Sequence, residues 1–362
     1  MSDRQDAMRQ FLTDAGWGGA IVTKLPGDAS TRRYFRVAHG SRKAMLMDQP
    51  QHAEAPVAAA NATPEERRAL GYNAVARLAG ADVARFVAAS EFLRGRGLSA
   101  PDIYAADPKQ GFALIEDLGD SLYADVLADG GDAHELYGAA IDALAQLHNE
   151  PAPAVLPPDK PLHPYDDTAL IAETDLMTEW FMPLALGRAA TGDEIAEHRA
   201  RWHQVLAPVL AADPVFVHRD YHAQNLIWLP ERDGLAKVGL IDFQDAVAGT
   251  KSYDLISLIE DARRDVDPAL AEAMTKRYIA ATGADEGAHR AEMAVMAAQR
   301  NAKIAGIFAR LHKRDGKPRY LDYLPRVWGY LNKDLEHPAL APLKAWYDRA
   351  IPMEARGRPR DA

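Results

Sequence analysis

Apolar positions follow two different rhythms along this chain. Residues 1–16 read as a short amphipathic helix, and from Ile21 the pattern changes to short runs in which apolar and polar residues alternate. Tyr34-Phe35-Arg36-Val37, Ala44-Met45-Leu46-Met47, Ile103-Tyr104-Ala105 and Phe112-Ala113-Leu114-Ile115-Glu116 are such runs, bounded by Gly, Asp, Ser and Pro. A period of two with turn residues at its ends predicts strands. Residues 51–80 interrupt them with a segment rich in Ala, Pro, Glu and Arg, in which Pro64-Glu65-Glu66 after Thr63 opens a helix. A further helix over 83–94 ends at Gly95 and Gly97. Beyond Glu116 the helical period takes over, predicting helices over 121–127, 133–148, 166–186, 193–211, 253–262, 268–282, 289–313, 320–335 and 338–350. A proline-rich linker covers 151–164, and 354–362 is a charged, frayed tail. Strands first and helices afterwards predict an α+β architecture rather than βαβ units, with a small β-rich lobe over 1–117 and a large helical lobe over 118–362.

Three short strands break the helical half, and they frame its chemistry. Val215-Phe216-Val217 leads into His218-Arg219-Asp220, and Asn225 follows five residues after the aspartate. Leu226–Leu229 and Lys237–Ile241 then pair around the turn Pro230–Gly234, which returns the chain to Asp242 beside Asn225. Phosphoryl transfer from ATP needs a carboxylate to orient the attacking hydroxyl and accept its proton, and oxygen ligands to hold Mg²⁺ against the phosphates. Asp220 is the candidate base, and Asn225 and Asp242 are the candidate metal ligands, as in the kinase catalytic loop and the Asp-Phe-Gly element after it. Scattered surface aspartates would not keep this order. His218 and His222 have the spacing of a zinc pair, but the glutamate of H-E-x-x-H is missing and strands flank them, so His218 reads as structural.

Composition narrows the setting. The chain has 362 residues, 48% of them apolar, enough for two lobes with a core, and no internal repeat. No cysteine is present, which excludes disulfides and thiolate sites. Its first ten residues are polar and no apolar leader follows; the run 205–217 is broken by Pro208, Asp213 and Pro214. A cytoplasmic protein without membrane contact is the expectation. A net charge of −10 argues against nucleic acid as partner, and no obligate protein partner is evident.

With these motifs in place the chain resembles the aminoglycoside phosphotransferase group of the protein-kinase-like fold. Gly27-Asp28-Ala29-Ser30, Arg32-Arg33-Tyr34-Phe35-Arg36, Ile241-Asp242-Phe243-Gln244-Asp245-Ala246, Tyr253-Asp254-Leu255 and Gly306–Leu311 with Arg314-Asp315-Gly316-Lys317 narrow the likeness. They are similar to the anomeric sugar kinases that phosphorylate N-acetylmuramate and N-acetylglucosamine at the C1 hydroxyl in cell-wall recycling. The resemblance spans residues 20 to 335 and implies ATP, Mg²⁺ and a small amino sugar as ligands. The turn over 25–31 would lay Asp28, Ser30 and Thr31 over phosphates, with Arg33 nearby. Glu116-Asp117-Leu118-Gly119 would be the hinge, with Glu116 and Leu118 as adenine contacts. For the acceptor, His222 and Gln224 lie on the loop and Glu179-Trp180 on a helix of the same lobe, where an indole would cover a sugar face. Arg300 and Lys303, three apart on a helix, would meet the lactyl carboxylate of N-acetylmuramate. Asp254 would brace the loop, and Asp245 would cap the turn after Asp242.

Two departures stand out. Where kinases carry a lysine on the third strand, this chain reads Ala44-Met45-Leu46-Met47-Asp48, so Arg32, Arg33 or Lys43 would take its work, with Glu91 the nearest helix partner or merely an exposed glutamate. The segment 51–80 is longer than the family leads one to expect. Other readings stay open: a kinase for another alcohol (aminoglycoside, choline, homoserine or a different hexose) or a nucleotide-binding pseudokinase. A protein kinase fits less well, since neither an activation loop nor an Ala-Pro-Glu motif follows Asp242.

Overall fold

The computed structural model describes residues 2–26, 32–50, 58–59, 61–78 and 82–359. In chain order its elements begin with α1 (Ser2–Asp14), β1 (Ile21–Lys24), β2 (Arg33–His39), β3 (Arg42–Asp48), α2 (Pro64–Leu70), α3 (Val83–Gly95), β4 (Ile103–Asp107), β5 (Phe112–Ile115), α4 (Tyr123–Ala128) and α5 (Ala133–His148). They continue with β6 (Val155–Leu156), β7 (Lys160–Pro161), α6 (Asp167–Leu176), α7 (Met182–Leu186), α8 (Gly192–Leu210), β8 (Val215–Val217), β9 (Leu226–Trp228), β10 (Val238–Leu240) and β11 (Val247–Gly249). Last come α9 (Ser252–Ile259), α10 (Pro268–Thr282), α11 (Glu286–Asp315), α12 (Leu324–Asp334) and α13 (Ala341–Ala350). The chain forms two compact units: one of 1–143, 153–163 and 223–246, the other of 144–152, 164–222 and 247–362.

The first unit is built on an antiparallel sheet of order β1-β2-β3-β5-β4. Alternation sorts its residues onto two faces. Phe35, Val37, Ala44, Leu46, Phe112 and Leu114 turn to α1 and the turn after it, where Met8, Phe11, Leu12 and Trp17 cover them. Phe11 stacks on Phe112 with ring centroids 5.4 Å apart. Tyr34, Arg36, Met45 and Met47 occupy the opposite face, and Tyr34 lies across from Met47. Gly111 shows how tightly the sheet is closed: its φ is +77° and a Cβ there would sit 2.0 Å from the Gln49 carbonyl, so only glycine fits. In the segment 51–80, α2 begins with the expected cap, Thr63 and Glu66 each bonding the other's backbone N–H. The β9–β10 hairpin belongs to this unit.

The second unit packs helices around α11, a helix of 30 residues whose length its ends explain. Asp285 caps its start, His312, Lys313 and Arg314 face the dipole in the last turn, and Gly316 ends it in the left-handed conformation. Gly306 allows α11 to approach α6, since a Cβ there would lie 2.5 Å from the backbone carbon of Leu176. The single helix expected over 166–186 is a relay: α6, a wider π turn over Met177–Phe181, then α7. Farther on, His198 and Trp202 of α8 pack on Trp346 and Tyr347 of α13. The strand β8 pairs with β11, which brings the chain entering the loop beside the chain leaving for α9.

Candidate active site

In the second unit the segment after β8 is held by charge from below. The N–H groups of His218 and Arg219 donate to the two carboxylate oxygens of Asp254, at 2.6 and 2.9 Å. Asp254 is wholly buried on α9. Arg219 has a φ of 75°, a conformation a non-glycine residue holds only when its surroundings impose it. Its guanidinium reaches Glu173 at 2.7 Å, and Glu173 also takes Lys303 at 2.8 Å, Gln299 at 3.0 Å and the Tyr165 hydroxyl. Burial works against the Glu173 charge, but Lys303 and Arg219 outweigh it and hold the carboxyl below its ordinary range. The loop is therefore anchored through two buried carboxylates, and Asp220 is left partly exposed at its tip. The Asp220 N–H donates to His218 Nδ1 at 3.3 Å, the structural role expected of that histidine. His222 is buried, with Nε2 3.4 Å from Arg263, and burial followed by the Arg263 charge pulls its pKa down to about 3. Its imidazole is neutral at physiological pH.

In the first unit the metal-ligand candidates lie at the open end of a hairpin. Leu226 pairs with Leu240, and the Ile241 N–H donates to the Asn225 carbonyl at 3.2 Å, so Asn225 faces Ile241 and Asp242 follows one residue on. Asp242 has a φ of 63°, and its Oδ1 accepts from Gln244 Nε2 and pairs with Arg32, both at 2.9 Å. The Asp245 carboxylate, expected to cap the next turn, pairs with Arg77 at 3.2 Å. The helix α3 fixes the rest of this segment. Arg85 donates to the carbonyls of Gln244 and Ala246, at 3.0 and 2.7 Å, and Phe86 stacks on Phe243 at 4.9 Å. Glu91 on the same helix is exposed. One carboxylate and one amide oxygen are hard donors, and Mg²⁺ takes few protein ligands when phosphates and water complete its shell, so these two residues fit it.

The remaining candidates separate. Asp28, Ser30 and Thr31 lie outside the described residues. Arg33 pairs with Asp48 at 2.7 Å, on the α1 face of the sheet. There a groove of about 780 Å³ runs between α1 and β1–β2, on the face opposite Tyr34 and Arg36. Glu116 pairs with Arg232 at 2.5 Å and gives its N–H to the Asp102 carbonyl, while Leu118 packs with Ile227 and Leu229. Arg36 ties Asp117 and Asp120 at 2.8 and 2.7 Å, stiffening the expected hinge. Gln224 and Glu179 are exposed, and Trp180 is half-buried on the π turn. Burial, then Asp175, raises the Glu179 carboxyl. Arg300 and Lys303 correct the expectation of a carboxylate pair. Arg300 is 4% exposed and donates to the Glu260 carbonyl and Ser257, and Lys303 is spent on Glu173 and Tyr253. Sequence reasoning missed Glu173, Arg77 and Arg85 because their partners lie more than forty residues away in the chain.

The chain matches known proteins over most of its length. A model of the phosphotransferase enzyme family matches residues 21–294. The chain is similar to the N-acetylmuramate/N-acetylglucosamine kinase of Caulobacter vibrioides, 48% identical over 98% of this chain and 99% of that protein. The protein of the same description from Pseudomonas putida is 33% identical over 93% of this chain and 91% of its own. A choline/ethanolamine kinase family protein from Mesorhizobium loti shares the fold, with a TM-score of 0.57 at 14% identity, covering 95% of this chain and 98% of that one. The architecture is α+β and protein-kinase-like, with an antiparallel sheet first and helices after it. A braced His-Arg-Asp loop, an Asn and Asp on one hairpin and a family match over most of the chain lead to one assignment: the chain belongs to the phosphotransferase enzyme family.

Proposed function

We propose that this chain transfers the γ-phosphoryl group of ATP to the anomeric C1 hydroxyl of N-acetylmuramate and N-acetylglucosamine, giving sugar 1-phosphates for cell-wall recycling in the cytoplasm. The observation that carries the sugar is the relative 48% identical over 98% of the chain, named for kinase action on these two sugars. The braced loop supports the chemistry. Asp220 orients the acceptor hydroxyl and takes its proton as the new C1–O–P bond forms and the bond to the ADP oxygen breaks. Asn225 and Asp242 would hold the metal, which when bound would offset the charge of the phosphates. Residues 1–117 would cover the nucleotide, with hinge carbonyls near Glu116 and Leu118 reading adenine. Residues 118–362 would carry the base and the acceptor pocket, with Gln224, Glu179 and Trp180 as its candidate contacts and His222 as a neutral support behind the loop.

Coupled ADP release over a panel of the two N-acetylated sugars, other hexoses, an aminoglycoside, choline and homoserine tests this reading. Turnover confined to the N-acetylated sugars, with proton–phosphorus coupling at C1 of the product, is expected. Turnover of another alcohol in their place overturns the sugar assignment. Nucleotide binding with no turnover of any acceptor would make the chain a pseudokinase.

A further inference from the structure

The third strand carries its one lysine, Lys43, near the hairpin and none at the end that reads Leu46-Met47-Asp48, so the phosphates need another cation. Among the described residues the sheet face away from α1 answers with Met45 and Met47 on β3, opposite Arg36 and Tyr34. The candidates for the missing charge part company in the structure. Lys43 is exposed near the hairpin end of β3. Arg33 lies on the α1 face, paired with Asp48, which also takes Arg4. Arg36 is spent on Asp117 and Asp120. Arg32 alone of these four meets the metal-ligand candidate: its guanidinium is 2.9 Å from Asp242 and only 7% exposed. Burial works against its charge, yet Tyr34, Asp242 and Asp245 hold it above the ordinary arginine range.

We infer that Arg32 is the positioning residue that replaces the strand lysine, acting through Asp242 rather than from the third strand. The inference rests on the nucleotide and metal use proposed above. A guanidinium does not deprotonate and presents several donors in a fixed fork, so it can keep one contact to a carboxylate while offering others to phosphate oxygens. Its position has a consequence that a lysine paired to a helix glutamate would not have. Without nucleotide, Arg32 already neutralises Asp242 and repels a second cation. With nucleotide, the phosphate charge makes both cations welcome. Arg32 therefore opposes free metal and favours metal–nucleotide.

Binding measurements without sugar separate this from a merely structural ion pair. Free Mn²⁺ affinity by electron paramagnetic resonance and Mg²⁺·ADP affinity by calorimetry are compared in the wild type, Arg32→Ala, Arg32→Lys and Arg33→Ala. Thermal melts check that each variant is folded. Arg32→Ala should bind free Mn²⁺ more tightly and Mg²⁺·ADP about tenfold more weakly or worse. Arg32→Lys should recover part of the nucleotide affinity, and Arg33→Ala should match the wild type in both. Parallel loss of both affinities in folded Arg32→Ala makes the pair a scaffold for Asp242 and overturns the inference, as does unchanged Mg²⁺·ADP binding. If the wild type binds no Mg²⁺·ADP, the kinase reading itself falls. If it binds but phosphorylates neither sugar, only the acceptor assignment falls and Arg32 is still tested.

Discussion

Because the N–H groups of His218 and Arg219 both end on Asp254, that carboxylate determines where Asp220 stands without touching anything that reacts. In Asp254→Asn one of the two oxygens becomes an amide nitrogen that faces an N–H. Each charge-assisted bond so lost is worth about 1.5–3 kcal/mol, and the cost should show in urea denaturation. Turnover should fall with it, because the left-handed backbone at Arg219 depends on this carboxylate and on Glu173. Asp220→Asn is the contrasting change. Its partly exposed side chain leaves the brace intact, so stability and ADP affinity should stay near wild type while kcat drops about 10²-fold or more. Near-normal turnover in folded Asp220→Asn would remove it as the base. The aspartates themselves were legible from order and spacing. The resemblance also singled out Asp254 as the brace of the loop, but which arginine serves Asp242 was not legible: ion pairs between residues distant in the chain leave no local pattern.

At the scale of elements, helix periods and caps foresaw most boundaries, and packing altered the few that differ. The predicted helix over 166–186 opens into a π turn at Met177–Phe181, where the helix runs on past the close approach of α11. Gly306 sets that approach. Gly306→Ala would drive a Cβ to 2.5 Å from Leu176 and should cost about 1–3 kcal/mol through overpacking. Gly329, on α12, has no atom within 4 Å of its would-be Cβ. There the same change should stabilise by about 0.4–1 kcal/mol, by restricting the unfolded chain. Chemical denaturation of the pair checks both signs. Equal effects would mean that helix propensity rather than the α6–α11 contact decides.

For the whole molecule, two buried histidines contribute to the response to acid. His198 and His222 are both pulled down to about 3, first by burial and then by a nearby arginine, Arg199 for one and Arg263 for the other. In the unfolded chain each titrates near the ordinary value of about 6.5. Between these values the unfolded state binds protons that the folded state does not. Their contribution is therefore complete above about pH 6.5 and is lost progressively as pH falls toward 3, by about 1.4 kcal/mol per histidine per pH unit. His198 accepts from Trp202 at 2.9 Å, a bond that a glutamine oxygen can also accept. His198→Gln should lower stability at pH 7.5 yet flatten its decline between pH 6 and 4.5. A slope equal to wild type would mean that this histidine titrates normally when folded.

The sequence by itself determined the class of fold, the order of its elements and which residues are the candidates for phosphoryl transfer. These are written in local terms: periods of two and 3.6, turn and cap residues, and an Asp, an Asn and an Asp at set spacings around a hairpin. Only the tertiary structure decided the fate of the long basic side chains. Arg300 and Lys303 share a helix face, as their spacing required, but the face meets Glu260, Ser257 and Glu173 inside the unit. Arg32 and Arg33 are neighbours in the chain and part at β2, one to Asp242 and the other to Asp48. Alternation says that adjacent strand residues point opposite ways. It cannot say which carboxylate waits on either side, because that depends on segments brought together only by burial.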